Sequence, residues 1–214
     1  MCGRFYDIHD LDDITSRFRV DRPRDLSLPV RYNVAPSQSV PVIRVMDDAR
    51  ELTLMRWGLI PHWAKDEKIG YKMINARAET VREKPSFRDA YASRRLIVPV
   101  SGFYEWKRDG THKQPFAIRH PDQSPLAFAG LWGTWHDMDT FTIVIAAANQ
   151  PMSSIHDRMP LILDDVQIEQ WLDPDNPDPE AVLTAVPDDE LELVPVSDWV
   201  NNARHEGPRC LEPV

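Results

Sequence analysis

Cysteine is nearly missing from this 214-residue chain: there are two, Cys2 and Cys210, at opposite ends and in no CxxC pair. That excludes a disulfide framework and a cysteine-based zinc site. Glycine is scarce too, eight against nineteen prolines, so the expected fold has many short elements joined by rigid turns. No apolar run approaches the length of a membrane span, and Met1 to Asp10 lacks the charged flank and apolar stretch of a signal peptide. These absences predict a soluble protein of the cytoplasm with no membrane partner. Internal repeats are absent, and the length suits a single domain over 1–214 with a substantial core.

What the chain does have is an uneven charge. The net is −9, but residues 1–120 carry 22 Lys and Arg against 16 Asp and Glu, and residues 121–214 carry 3 against 18. Sixteen of the 22 basic residues are arginines, the side chain suited to bidentate phosphate contact and to stacking on bases. A basic face on an acidic protein is compatible with this count, and so are arginines scattered over a solvated surface.

Strand-like runs dominate the middle: 40–45, 52–57, 96–100, 102–107, 115–119, 126–136, 140–148 and 191–196. The pair flanking Asp137-Met138-Asp139 reads as a hairpin. Helical patterning is brief, at 10–18, 79–84 with 86–93, 164–172 and 178–185, several with an Asp or Ser placed to cap the first turn. Helices do not alternate with strands, so a parallel βαβ sheet is disfavoured. The expected fold is α+β, with mostly antiparallel curled sheets around a barrel-like core and short peripheral helices.

Cys2 stands out chemically. Once Met1 is removed, Met1-Cys2-Gly3-Arg4-Phe5 presents an amine and a thiol on adjacent carbons, and such a 1,2-aminothiol traps an aldehyde as a five-membered thiazolidine. An α-amino group titrates about 2.5 units below a lysine and is partly neutral near pH 7. Four further segments are too specific in residue type for core packing alone. They are Tyr32-Asn33-Val34-Ala35-Pro36, followed by Arg56 to Ala64 with His62 and Trp63; Ile74-Asn75-Ala76-Arg77-Ala78-Glu79-Thr80; Val100 to Trp106, with Glu105 between two aromatics; and Ser154-Ile155-His156-Asp157-Arg158-Met159-Pro160.

With these motifs in this order, the chain resembles the SOS response-associated peptidase family, known also as abasic-site processing proteins. The resemblance implies covalent capture of abasic sites in single-stranded DNA, without metal or cofactor, as a suicidal or slowly reversible shield in the DNA damage response. By position it assigns Cys2, Asn75, Glu105 and His156 to catalysis, and Arg77 and Arg158 to phosphate binding. Arg4, Asn33, Trp106 and Trp63 are further candidates for contact with DNA. A carboxyl flanked by Tyr104 and Trp106 is expected to be desolvated and raised in pKa, which suits it to opening the sugar hemiacetal. The imidazole of His156 suits proton transfer in ring closure or reversal. Asn75 can position a neighbour by hydrogen bonding. An AP-lyase side activity, autocatalytic removal of Met1, a monomeric state and nucleoid association when engaged are further expectations. One departure stands out: the strand ahead of the His motif ends Ala146-Ala147-Ala148-Asn149, where a hydroxyl side chain such as Thr is expected.

Three rivals are open at this point. A glutamine amidotransferase also begins Met-Cys-Gly, but needs an Asn-Gly pair that this sequence lacks. A thiol peptidase could use Cys2, His156 and Asn75. A non-covalent single-strand binder would rely on arginines and tryptophans and leave Glu105 and His156 without a role.

Overall fold

The protein is described by a computed structural model covering residues 2–23, 26–183 and 191–214. In chain order the elements are β1 (Phe5–Asp7), α1 (Leu11–Arg17), β2 (Arg22–Pro23), β3 (Arg31–Val34), β4 (Ser39–Met46), β5 (Ala49–Trp57) and β6 (Asn75–Arg77). Then follow α2 (Arg88–Ser93), β7 (Arg95–Val100), β8 (Gly102–Asp109), β9 (His112–Arg119), β10 (Leu126–Trp135), β11 (Met138–Ala147), α3 (Gln150–Ser153), β12 (Arg158–Pro160), α4 (Asp165–Leu172) and β13 (Glu192–Pro195). Short 3-10 helices lie at Glu67–Lys72, Glu180–Val182, Asp198–Asn201 and Pro208–Leu211.

Two sheets make the α+β fold expected from the sequence. One runs β13-β9-β8-β1-β3, with every pairing antiparallel. The other runs β12-β11-β10-β7-β4-β5-β2, and a parallel contact of β11 with β5 (Thr140↔Arg56, Phe141↔Trp57) closes β5, β4, β7, β10 and β11 into a ring. Alternation along the ring strands gives each face its own core. Val98, Phe128, Phe141, Ile143 and Ile145 pack with Phe5 and Phe103 of the first sheet. Ile97, Ala127, Ala129, Val144 and Ala146 instead meet Ile14 and Phe18 of the α1 region and Ile168 and Trp171 of α4.

Helix ends follow the chemistry read from the sequence. Asp10 and Asp164 cap α1 and α4, each within a reciprocal capping box. The β10–β11 hairpin turns at His136-Asp137, with His136 at φ 52°. Two expectations need correction. Residues 79–84 form successive turns, not a helix, because Pro85 lacks an amide hydrogen and disfavours helical geometry at Lys84. The helix expected over 178–185 is reduced to the turn Glu180–Val182, and residues 184–185 lie outside the described residues.

The first sheet fixes where the chain's start lies. β1 is held between β3 and β8 (Phe5↔Val34, Phe5↔Phe103), and Tyr104 N–H donates to the Arg4 carbonyl at 3.0 Å. Continuing that antiparallel register sets Glu105 across from Gly3, beside Cys2. Gly102 permits the approach: a side-chain carbon there would sit 2.5 Å from both the Tyr6 hydroxyl and the Ile118 carbonyl.

Candidate active site

Cys2 has no exposed surface and packs among Phe5, Trp57, Phe103, Ile143 and Met152. Burial pushes its thiol well above the usual range, the charge of Glu105 pushes it further, and the Arg4 backbone N–H partly offsets both. Glu105 is 4% exposed. Its carboxyl is raised by the same burial, against the opposing influence of His156 and the Trp106 backbone N–H. Cys2, Glu105 and His156 therefore form one electrostatic group, although they come from the chain start, β8 and the turn after α3. The desolvated carboxyl expected between Tyr104 and Trp106 is present.

His156 is half-buried, and its backbone N–H donates to the Met152 carbonyl at 2.9 Å. Its Nδ1 lies 3.0 Å from the Arg158 backbone N–H and 3.0 Å from a carboxylate oxygen of Asp157. These two contacts ask for different states: the first needs an unprotonated Nδ1, the second a protonated one. The backbone N–H cannot change role, whereas the largely exposed Asp157 carboxylate can turn to water, so Nδ1 has one fixed and one adjustable neighbour.

Asn75 opens β6, which runs parallel to β11 (Asn75↔Ile143, Arg77↔Ile145). On the other edge of β11, Arg158 of β12 pairs with Ala147. Paired residues point to the same side of a sheet, and residues 143, 145 and 147 alternate onto one side. Asn75, Arg77 and Arg158 thus share a face, the one on which Ile143 and Ile145 pack with Cys2. Nδ2 of Asn75 donates to the Ile74 carbonyl at 3.0 Å, and its buried Oδ1 meets no hydrogen-bond partner among the described residues. It is an acceptor held ready for a donor. After Ala146-Ala147-Ala148, the Asn149 side chain caps α3 by accepting the Met152 N–H at 3.1 Å.

The remaining candidates fall elsewhere. Asn33 is fully buried, and its amide is spent within the protein: Oδ1 accepts from Arg4 at 2.7 Å, and Nδ2 donates to the carbonyls of His205 at 2.8 Å and Asn202 at 3.0 Å. It has nothing left to offer a phosphate. Arg4 also donates to the Val200 carbonyl at 3.0 Å and lies over the Trp106 ring at 5.8 Å. The Trp106 indole N–H donates to Asn201 at 2.6 Å. These three residues tie the strand behind Cys2 to the C-terminal segment, a role that sequence reading missed because its partners lie more than 90 residues away. Trp63 is exposed on a cleft of about 380 Å³ lined by Leu59, Arg94, Trp132 and Thr134, which includes none of the four catalytic candidates.

A buried cysteine at the chain's start, a desolvated carboxyl coupled to a histidine, and two arginines on the β11 face make up the candidate site. The chain belongs to the SOS response associated peptidase (SRAP) family, which it matches over residues 1–203. It is 45% identical to the abasic site processing protein YoqW of Bacillus subtilis (strain 168), covering 99% of both chains. It is 33% identical to the abasic site processing protein YedK of Escherichia coli (strain K12) over the whole of both. The abasic site processing protein HMCES of Gallus gallus is 35% identical over 86% of this chain and 66% of its own. A crystal structure of a protein from Bacteroides thetaiotaomicron superposes over all of both chains with a TM-score of 0.89 at 26% identity.

Proposed function

We propose that this protein captures abasic sites in single-stranded DNA by forming a thiazolidine between the Cys2 aminothiol and C1' of the ring-opened sugar. The observation that carries the reading is the grouping of Cys2 with buried Glu105 and with His156, on the face that also bears Asn75 and the two arginines.

The sequence of events follows from the chemistry. Water first hydrolyses the Met1–Cys2 peptide bond; Met1 itself lies outside the described residues. Cys2 has no exposed surface, so reaction requires that the terminal segment be trimmed or move. At the abasic sugar a base takes the proton from the C1' hydroxyl, the C1'–O4' bond breaks, and a proton is delivered to O4'. Glu105 suits this exchange because burial raises its carboxyl above the ordinary range, toward the conditions in which it can exchange a proton with the sugar. The neutral amine then adds to the aldehyde, a proton from Glu105 or His156 lets one water leave, and an iminium forms. The thiol adds to the same carbon, its proton passing to Glu105 or His156. The overall balance is aldehyde plus aminothiol giving thiazolidine plus water.

A raised thiol pKa fits this order. The sulfur stays protonated and unreactive until the positive iminium forms beside it and lowers the cost of thiolate. Asn75 Oδ1 can accept from the Cys2 amine or from a sugar hydroxyl, and Arg77 and Arg158 can hold the phosphates beside the lesion, which fixes position without reading sequence. Before the ring closes, the imine acidifies the C2' proton, so β-elimination is a competing AP-lyase outcome.

The test is incubation of the mature protein with a single strand carrying one abasic site, resolved on a denaturing gel. A covalent adduct stable to heat is expected. Wild-type protein that forms none would sink the proposal.

A further inference from the structure

Arg158 is already occupied. Its guanidinium hydrogen-bonds and ion-pairs with the carboxylate of Glu79, a residue given no part in the chemistry above. Glu79 sits two residues past the end of β6, in a turn pinned by Ala78 N–H to the Ile145 carbonyl at 2.8 Å and by Thr80 N–H to the Arg77 carbonyl at 3.1 Å. The backbone beneath it is therefore fixed, while the side chain is half exposed and can swing. Burial alone would raise its carboxyl; the hydrogen bond and charge of Arg158 and the charge of Arg77 hold it below the ordinary range instead. The carboxylate thus feels both arginines of the rim.

A carboxylate and a phosphodiester make the same demand on a guanidinium: one negative charge spread over two oxygens that accept parallel N–H bonds. We propose that Glu79 is a built-in competitor for the DNA phosphate, and that a strand engages the rim by exchanging this carboxylate for a phosphodiester on Arg158. The inference rests on the phosphate-binding reading of Arg77 and Arg158.

The exchange sets how DNA binding responds to salt. Each phosphate that an arginine neutralises releases cations condensed on the strand, which steepens the salt dependence; the Glu79 carboxylate freed in the exchange stays beside that phosphate and holds part of the cation atmosphere in place. Glu79 therefore lowers affinity for any single strand while it keeps Arg158 extended and its charge satisfied in the free protein.

The experiment measures equilibrium binding of a fluorescent single strand carrying a tetrahydrofuran residue, which has no C1' hydroxyl and cannot crosslink, at several salt concentrations. Glu79→Gln keeps the shape and removes the charge. Expected is binding about two- to fivefold tighter at low salt, the size of a surface ion pair, and a log–log salt slope steeper by about 0.7, the single-strand value per charge. Unchanged or weaker binding, or an unchanged slope, overturns the proposal and leaves Glu79 as a support for Arg158. Arg158→Gln, measured alongside, separates the two readings. If it weakens binding and flattens the slope while Glu79→Gln does nothing, only the competitor role fails. If Arg158→Gln has no effect, the phosphate-binding reading fails with it. Wild-type protein that does not bind the strand overturns both.

Discussion

Two regions of one sheet face follow opposite solvent rules. Where Asn75 pairs with Ile143, the neighbouring Cys2 and Glu105 have almost no exposed surface; four residues along β11, about 13 Å at strand spacing, Arg158 and Glu79 meet water. The buried end uses desolvation to raise a thiol and a carboxyl above their ordinary ranges. On the proposed function the wet end cannot use that device, since there a phosphate would have to enter and leave. Its arginine is instead kept charged and satisfied by a carboxylate that can be displaced. Burial tunes the chemistry and pairing tunes the grip, and the β11 ladder holds the two in fixed register.

The largest expected effect is at the dry end. Cys2→Ala should abolish the heat-stable adduct, leaving at most a labile imine from the new terminal amine; a stable adduct that persists would move the nucleophile elsewhere. Glu105→Gln should slow crosslinking by about 10²-fold or more, the typical worth of a positioned acid–base group, seen in single-turnover gels. An unchanged rate would transfer the proton work to His156. The same variant probes the cost of burial. A carboxyl whose folded pKa is raised holds its proton in the native state where the unfolded chain has lost it, so it weakens the fold as pH rises above the ordinary carboxylate range. Glu105→Gln should therefore melt higher than wild type at pH 7, with the gap closing toward pH 4.

Smaller effects should separate support from chemistry. Asn33→Ala leaves the Arg4 guanidinium and the Asn202 and His205 carbonyls short of a partner, and should cost about 1–3 kcal/mol in urea unfolding. Its crosslinking at low denaturant should fall less than that of Glu105→Gln; an equal fall would mean that the Arg4 tether positions Cys2 directly. At the bottom of the scale, Asp164→Ala removes one helix cap remote from the site and should cost about 1 kcal/mol without changing the adduct rate.

Legibility in the sequence followed element length and the reach of each contact. The β10–β11 hairpin and the caps at Asp10 and Asp164 could be read because their signals are local: two long apolar runs around a polar turn, and an aspartate before an amphipathic stretch. β1, β6 and β12 were missed as strands because three residues show no alternation; they are extended only because a longer neighbour supplies the ladder. In the site, residue types and order pointed to Cys2, Asn75, Glu105 and His156, and the structure groups three of them by charge and places Asn75 on their face. Arg4 reads as a DNA contact from its place beside Cys2, Trp106 as a stacking surface for a base, and Asn33 from its motif at Tyr32 to Pro36. Their partners at 199–205 could not be seen without the fold, and neither could Glu79, whose meaning depends on Arg158 lying 79 residues away.

The docking of β1 against β8 also has a consequence in time. Phe5 pairs with Phe103, 98 residues later, so during synthesis β1 and the Cys2 segment just ahead of it leave the ribosome long before their partner exists. At about 5–20 residues per second the wait is roughly 5–20 s. An external aminopeptidase has that interval to reach the Met1–Cys2 bond. Once β1 is seated, the cysteine is enclosed and only the protein's own groups stand near it.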